Sequence, residues 1–579
     1  PTINIDGKTA LLGDEIYYRV NIDASRLTDT AYKVWRLGMT DDYDQEYLTL
    51  DAKHVEILDE TGRDRTGEFN IQDKDGVLYA FARTVDTMIP ATGETVPGDP
   101  QPDDLKAYSE KSDKDYDPLK DPSIDQSLLG HTYQVVMPMT VTKVKDGHTV
   151  ENTATQVTND RRDKTNTVTN PLKEINPTKD VTVQVGGDSI DGKSVYLNHT
   201  FLYRLDSSIL PPDRAYQTVT DWGGTDQLAT EYDQYLGNWA VYASRDLYRD
   251  GQVLAARGEK IAGSGFDSSK FGGNLFTVDA DENGKVTADA TQAYLDLVSA
   301  DNEHEAGWVL YLQCKRIAVA DEVPNTWTET INGQPRESNK VVTKTPDMTP
   351  SIHLEKVDTP TLKQDGQEQA DRDDSKQALK MDADNIGITF IITNTSKTDP
   401  ATGDGAWYKA SDLNLADSTI VGDAHVDMDS LTYPADWDTL VLKPGESVSV
   451  TGTLKGVKEG DTHTDRAIVT GTPLVECAPS NGDPFNDKTD GGEDTDPEYS
   501  TGDVTEIDGK QLCADTQTAS NTDDWNGYRA KPLASTGTAV LGLAGGALAV
   551  LLAGGSLLVF RKRHYAQGSG RHTAVNAGK

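Results

Sequence analysis

The sequence predicts an all-β chain of tandem immunoglobulin-like β-sandwiches, closed by one C-terminal transmembrane helix. Three observations predict it. Short alternating apolar runs are broken by Gly, Asp and Pro, a block of sequence recurs 185 residues downstream, and one long uncharged run near the end precedes a basic cluster.

The strands come first. Tyr17-Tyr18-Arg19-Val20-Asn21-Ile22 and Thr140-Val141-Thr142-Lys143-Val144 alternate with period two, while helical periodicity is scarce. The repeat then sets the domains. Ile5-Asp6-Gly7-Lys8, continuing through Leu12, Tyr18, Arg19 and Val20, matches Ile190-Asp191-Gly192-Lys193 through Leu197, Tyr203, Arg204 and Leu205 at a constant offset of 185. Each copy goes on to a Thr-Asp step, Thr40-Asp41 and Thr220-Asp221, and to a closing Asn-Thr, Asn152-Thr153 and Asn325-Thr326. Sandwiches are therefore expected over 1–172 and 173–348. A third is expected over 349–475, where Ile386 to Thr393 and Glu446 to Leu454 read as strands, the latter after a Pro444-Gly445 turn. Residues 476–532 are polar and acidic and read as a spacer.

At the far end, Leu533-Ala534-Ser535-Thr536-Gly537 precedes an uncharged run from Thr538 to Phe560 and then Arg561-Lys562-Arg563-His564. The run is long enough for a helix to cross a hydrocarbon core of about 30 Å, and the basic cluster holds its end in the cytoplasm. The pentapeptide resembles the motif read by sortases, in the Ala-containing form typical of actinobacteria. That resemblance implies cleavage after Thr536 and transfer of its carbonyl to a wall peptide amine. The implied partners are a sortase and, covalently, peptidoglycan, and the implied location is the extracellular face of the cell wall, with a precursor that spans the membrane. At the other end Pro1-Thr2-Ile3 shows neither an initiator Met nor a secretory signal. A fragment is expected, with the signal peptide and a ligand-choosing head upstream.

Composition fits an exposed location. There are 95 acidic against 55 basic residues and a formal net charge of -40, which excludes nucleic acid as a partner. Cys477 and Cys513 bracket an Asp-, Gly- and Pro-rich stretch too poor in apolar residues to hold its own shape, so a disulfide is expected there. Cys314, inside Val309-Leu310-Tyr311-Leu312-Gln313-Cys314, reads as a buried strand thiol.

The segment Asn176-Pro177-Thr178-Lys179-Asp180-Val181, with the Ile-Asp-Gly-Lys turn, the Thr-Asp step and the closing Asn-Thr, resembles the C-terminal domains of the antigen I/II surface adhesins over residues 1 to about 348. The resemblance implies sandwiches closed by a spontaneous isopeptide bond between a first-strand Lys and a last-strand Asn, assisted by a buried acid. In the second domain the matching residues are Lys179, Asp221 and Asn325. The first domain offers Asp41 and Asn152, and its matching Lys would precede residue 1. By the same logic the third domain offers Lys356 and Asp465 with Asp417 as the acid, and water would leave in place of ammonia.

Asp279-Ala280-Asp281-Glu282-Asn283-Gly284 has the alternating oxygen ligands that suit calcium, but its twelfth position is Ala290. An Asn-Gly hairpin turn is the preferred reading, with calcium through Asp279, Asp281 and Asn283 kept as a second one because related adhesin domains bind it. No other cofactor is expected. There is no GxSxG elbow, HExxH helix or phosphate loop, and His304-Glu305 lacks a second His, so an enzyme is not expected. A pilin would need a Tyr-Pro-Lys type motif, whereas Tyr433-Pro434 is followed by Ala435. The chain reads as the stalk of a wall-anchored adhesin that holds an upstream head towards a host protein or glycan. A pilin-like subunit, or the anchor of a surface enzyme with an upstream catalytic domain, is the alternative.

Overall fold

The computed structural model describes residues 3–532 except 29–32, 86, 89–94, 97–101, 118–120, 361–362, 365–366, 369–371, 479–483 and 486–503. The expected membrane span and the sortase-like pentapeptide, 533–560, lie outside the described residues. No helix among the described residues is long and apolar enough to cross a membrane.

Strand Glu15–Asp23 alternates exposed and buried side chains along its whole length, as a strand with one wet face must. It pairs antiparallel with Thr132–Val141, Glu15 opposite Thr140 and Asp23 opposite Thr132. Thr132–Val141 carries Leu48–Leu50 and Glu56–Asp59 on its far edge. The second sheet of this unit runs Arg161–Lys164, Ala154–Thr158, Leu37–Asp42, Val77–Ala82, Phe69–Lys74. Ile16, Val20 and Ile22 meet Leu37, Met39 and Ala80 in the core between the two sheets. Gly38 is required there, because a Cβ would collide with the carbonyl oxygen of Ala80.

The second unit repeats the plan. One sheet runs Thr178–Thr182, Thr200–Asp206, Trp308–Arg316, Asp233–Ala243, Lys260–Gly263, and the other Phe276–Ala280, Lys285–Ala290, Trp222–Gln227, Trp327–Ile331, Gln334–Glu337. Its core is built on aromatic rings, Trp222, Phe276, Tyr294, Trp308 and Trp327. Trp308 lies 5.3 Å from Phe276 and 5.8 Å from Trp327, within the range where tilted rings attract beyond their buried area. The loop Asp281–Gly284 joins two paired strands as a hairpin. One Asp281 oxygen accepts from the backbone N–H groups of Asn283 and Lys285, and Gly284 supplies the positive φ of 79°.

The third unit has Ile352–Asp358, Asn385–Asn394, Ser447–Lys455 and His425–Val426 in one sheet, facing Leu379–Lys380, Ala519–Tyr528, Thr462–Gly471 and Asn414–Val421. This corrects the spacer reading of 476–532. Ala519–Tyr528 pairs with Thr462–Gly471 over its whole length, and Trp525 is fully buried. Polarity hid the strand. Asp523 accepts from the Lys356 backbone N–H and Asn526 donates to the Arg372 carbonyl, so both polar side chains are buried with partners. Cys477 and Cys513 form a disulfide, and Cys314 is a buried free thiol.

Adjacent units touch through specific contacts. Lys8 pairs with Asp213 at 2.5 Å, and Ser194 donates to Asp399 at 2.8 Å. Phe485 packs against Leu202, Tyr242 and Tyr311 of the second unit, and the Tyr242 hydroxyl donates to the Phe485 carbonyl.

Candidate functional site: buried lysines, acids and amides

Lys179 leaves the first strand of the second unit with a fully buried side chain. Its backbone is clamped by Asn339, whose side chain accepts from the Lys179 N–H at 2.8 Å and donates to the Lys179 carbonyl at 2.9 Å. The amine meets Asp226, on Trp222–Gln227 of the opposite sheet, in a short hydrogen bond. It also lies 4.6 Å from the centre of the Tyr203 ring. The Tyr203 hydroxyl donates to Asp233, which is paired with Arg316, so the ring is held from behind. Asn325 is buried at the end of Ala320–Asn325, and its amide side chain flanks the same Asp226 carboxyl.

Asp221 does not join this group, which corrects the acid assigned from sequence. It is partly exposed and accepts from the Gly333 backbone N–H. It precedes the strand that enters the core, whereas Asp226 sits inside that strand and points between the sheets. The missed signal was the repeat itself. The offset of 185 that matches Tyr18 with Tyr203 carries Thr40-Asp41 to Thr225-Asp226.

Burial sets the protonation of this group. It pushes the Lys179 amine below the usual lysine range, opposed by the Asp226 charge, and it pushes the Asp226 carboxyl up, opposed by the Lys179 charge. Moving one proton from Lys179 to Asp226 leaves a neutral amine beside a neutral acid. Apart from facing the Asp226 carboxyl, the Asn325 amide has no hydrogen-bond partner, so the acylating group is not tied elsewhere.

In the first unit Asp41 and Asn152 are both buried and adjacent. Burial lifts the Asp41 carboxyl to about 6, and the nearby Asn152 amide opposes the rise. In the third unit Lys356 is fully buried. Its amine donates to Asp417 at 2.5 Å and touches Asp465 at 2.5 Å, so the structure brings all three sequence-assigned residues together. Burial pushes Asp417 up, the Lys356 charge opposes this, and the Asp465 charge adds to it. His463, which sequence reasoning missed, is buried with Nε2 3.0 Å from Asp465. A single His among polar residues, two positions from an acid on an alternating strand, gives no signal of its own. Asp279 and Asp281 stand at the hairpin, and the described residues contain no cluster of three or more metal-ligating side chains.

Comparison with known proteins agrees with the two-unit repeat. Residues 2–172 match the family model described as the cell surface antigen I/II C2 terminal domain, and 176–346 match that described as the cell surface antigen C-terminus. An aggregation substance of Enterococcus faecalis is 30% identical over 351 residues, covering 59% of this chain. The match spans 23% of that protein's length. The C-terminal domains of the Streptococcus agalactiae antigen I/II polypeptide BspA and of the Streptococcus pyogenes antigen I/II-family protein AspA are 18% and 22% identical, each over 59% of this chain. They are covered over 96% and 95% of their own lengths, with TM-scores of 0.43. Residues 2–172 and 176–346 are thereby identified as C-terminal domains of the cell-surface antigen I/II type.

Proposed function

We propose that the chain is the stalk of a wall-anchored surface adhesin, built from immunoglobulin-like sandwiches of which the second is closed by a Lys179–Asn325 isopeptide bond. The observation that carries this reading is the buried set of Lys179, Asp226 and Asn325. In the reaction the neutral Lys179 amine attacks the Asn325 side-chain carbonyl while protonated Asp226 donates to its oxygen. The new amide forms as the carbon–nitrogen bond of the carboxamide breaks, and that nitrogen leaves as ammonia.

The bond ties the first strand to a segment near the end of the unit, 146 residues later. By analogy with a disulfide closing a loop of that size, it stabilises the unit by about 5 kcal/mol. A unit tied at both ends resists the unzipping that tension imposes, which suits a stalk whose lifetime under load is set by its unfolding rate. The contacts between neighbouring units, Lys8 with Asp213 and Phe485 against Tyr242, support a chain that transmits load. In the third unit Lys356 and Asp465 form the corresponding bond with loss of water, Asp417 serving as the acid.

Leu533 to Gly537 supplies the sortase motif, which links Thr536 to peptidoglycan at the cell surface, while a host protein or glycan is the ligand of the whole adhesin. Two experiments test the reading. The intact mass of wild-type protein falls short of the sequence by one ammonia for the second unit, and Lys179→Ala or Asn325→Ala restores it; a full-mass second unit would overturn the bond. Replacing Thr536 and Gly537 moves the protein from the wall fraction to membrane or medium, and unchanged wall linkage would overturn the anchoring.

A further inference from the structure

The third unit buries a titratable group to which the bond chemistry above gives no role. Thr462–Gly471 alternates between the core and solvent, so His463 and Asp465 both point inward, with Ala467 and Val469 following on the same face. Asp417 comes from the neighbouring strand Asn414–Val421, and Lys356 from the opposite sheet. The side chains of Lys356, Asp465 and His463 are fully enclosed, and that of Asp417 is 2% exposed. One atom joins the group. Asp465 Oδ2 lies 2.5 Å from the Lys356 amine and 3.0 Å from His463 Nε2.

Charge says what His463 does. One lysine and two carboxylates carry one net negative charge, and an uncompensated charge in a dry core is costly. A proton on His463 brings the four groups to zero, and imidazole is the side chain that takes up a proton near neutral pH. The charged groups facing the ring are Asp465 on its own strand, Asp417 beside it and Lys356 across the sheets. Ala519–Tyr528, on the other side of the strand, presents Trp525 with its ring centre 6.1 Å away, and Asp523 of that strand is turned to the Lys356 backbone N–H. In the second unit Lys179 and Asp226 already balance beside the neutral Asn325, so the same chemistry there needs no imidazole.

We propose that His463 is the proton donor that lets Asp465 lose its oxygen as water to Lys356. The proposal rests on the Lys356–Asp465 bond proposed above. Lys356 passes one proton to Asp417, and the His463 imidazolium passes one from Nε2 to Asp465 Oδ2. The neutral amine then attacks the Asp465 side-chain carbon while protonated Asp417 donates a hydrogen bond to Oδ1. As the carbon–nitrogen bond forms, neutral His463 takes a proton from the amine and returns it to Oδ2, the carbon–Oδ2 bond breaks, and water leaves. The products are one amide, one water, protonated Asp417 and neutral imidazole. The group is therefore uncharged before the reaction and after it.

The test uses the whole chain and intact mass, with proteolysis to assign each deficit to its unit. The wild-type third unit is expected to be short of one water. His463→Gln is expected to lose that water about 100-fold more slowly at about pH 7, and to recover on incubation at about pH 5, where solvent supplies the proton. Asp465→Asn makes the acyl group neutral from the start, so both that variant and the double variant Asp465→Asn with His463→Gln are expected to lose ammonia at about pH 7. A second readout keeps His463 in place. Wild-type chain recovered unreacted from inclusion bodies and refolded at stepped pH is expected to lose water more slowly as pH rises through the imidazole range, a dependence that Asp465→Asn does not share. Water loss in His463→Gln at the wild-type rate, or a flat wild-type profile, overturns the proposal. So does a double variant that fails where Asp465→Asn alone reacts, because His463 then only shapes the site. A wild-type third unit of full mass overturns the Lys356–Asp465 bond together with the proposal, and the ammonia deficit of the second unit is read separately.

Discussion

The second and third units bury a lysine in the same place, on the first strand and between the sheets, but surround it differently. Lys179 meets one acid and one amide, Asp226 and Asn325, whereas Lys356 meets two acids, Asp417 and Asp465, with His463 behind one of them. The difference bears on charge. One lysine and one acid can neutralise each other by a proton transfer, and the amide beside them is the acyl donor for the neutral amine. A lysine between two acids keeps an excess of negative charge unless a further proton is present, and a carboxylate must be protonated before it can lose water to an amine. On the proposed chemistry the second unit thus needs no proton beyond the one its lysine and acid share, whereas the third needs one more.

The largest effect expected is from Lys179→Ala. On the proposed chemistry it removes a cross-link worth about 5 kcal/mol; in an unreacted pair it would instead leave Asp226 buried with no cation, a loss of about 3 to 5 kcal/mol. Calorimetry of the whole chain should show the second unit melting far earlier while the third is unchanged. Lys356→Ala strands two acids and is expected to destabilise the third unit by about 3 to 5 kcal/mol even where no bond has formed, with Lys356→Met milder. An equal loss from Ala and Met would mean that the charge is not what matters there. Next comes the staple of the third unit: Cys477→Ser opens a loop of sequence separation 36 and should cost about 4 kcal/mol in the chain-entropy model. Chemical denaturation with and without reductant measures it, and the mutant should no longer respond to reductant.

The smallest effect concerns the first unit and pH. Asp41 is lifted from 3.8 to about 6, so the folded state holds a proton there that the unfolded chain gives up. That contribution is complete below about pH 4 and is lost as pH rises through about 6, reaching up to about 3 kcal/mol. Hydrogen exchange of Leu37–Asp42 across this range should show weakening protection, and Asp41→Asn should flatten the dependence.

Much of this was legible in the sequence. Alternation in Glu15–Asp23 and the offset of 185 marked the two related units, because both features express buried faces that tolerate few residue types. Lys179 was legible through the Lys-Asp-Val opening that carries the family resemblance, and Lys356 by analogy with it. The acid of the second unit was misplaced because two Thr-Asp steps lie five residues apart, and only strict use of the offset separates Asp226 from Asp221. The last strand of the third unit was invisible to hydropathy, since Ala519–Tyr528 buries Asp523 and Asn526 through hydrogen bonds and only Trp525 through bulk. His463 and the Asn339 clamp were out of reach, because a lone His beside an acid on its own strand gives no signal and Asn339 binds the backbone of a strand 160 residues away.

The central claim is that Asp226 drives bond formation between Lys179 and Asn325. Proteolysis followed by fragmentation mass spectrometry tests it most directly, by searching for the branched peptide that joins residues around 179 to those around 325. The account predicts that this peptide is present in the wild type and in Asp221→Ala, and absent in Asp226→Ala. A cross-link that survives Asp226→Ala, or one that disappears in Asp221→Ala, would contradict it.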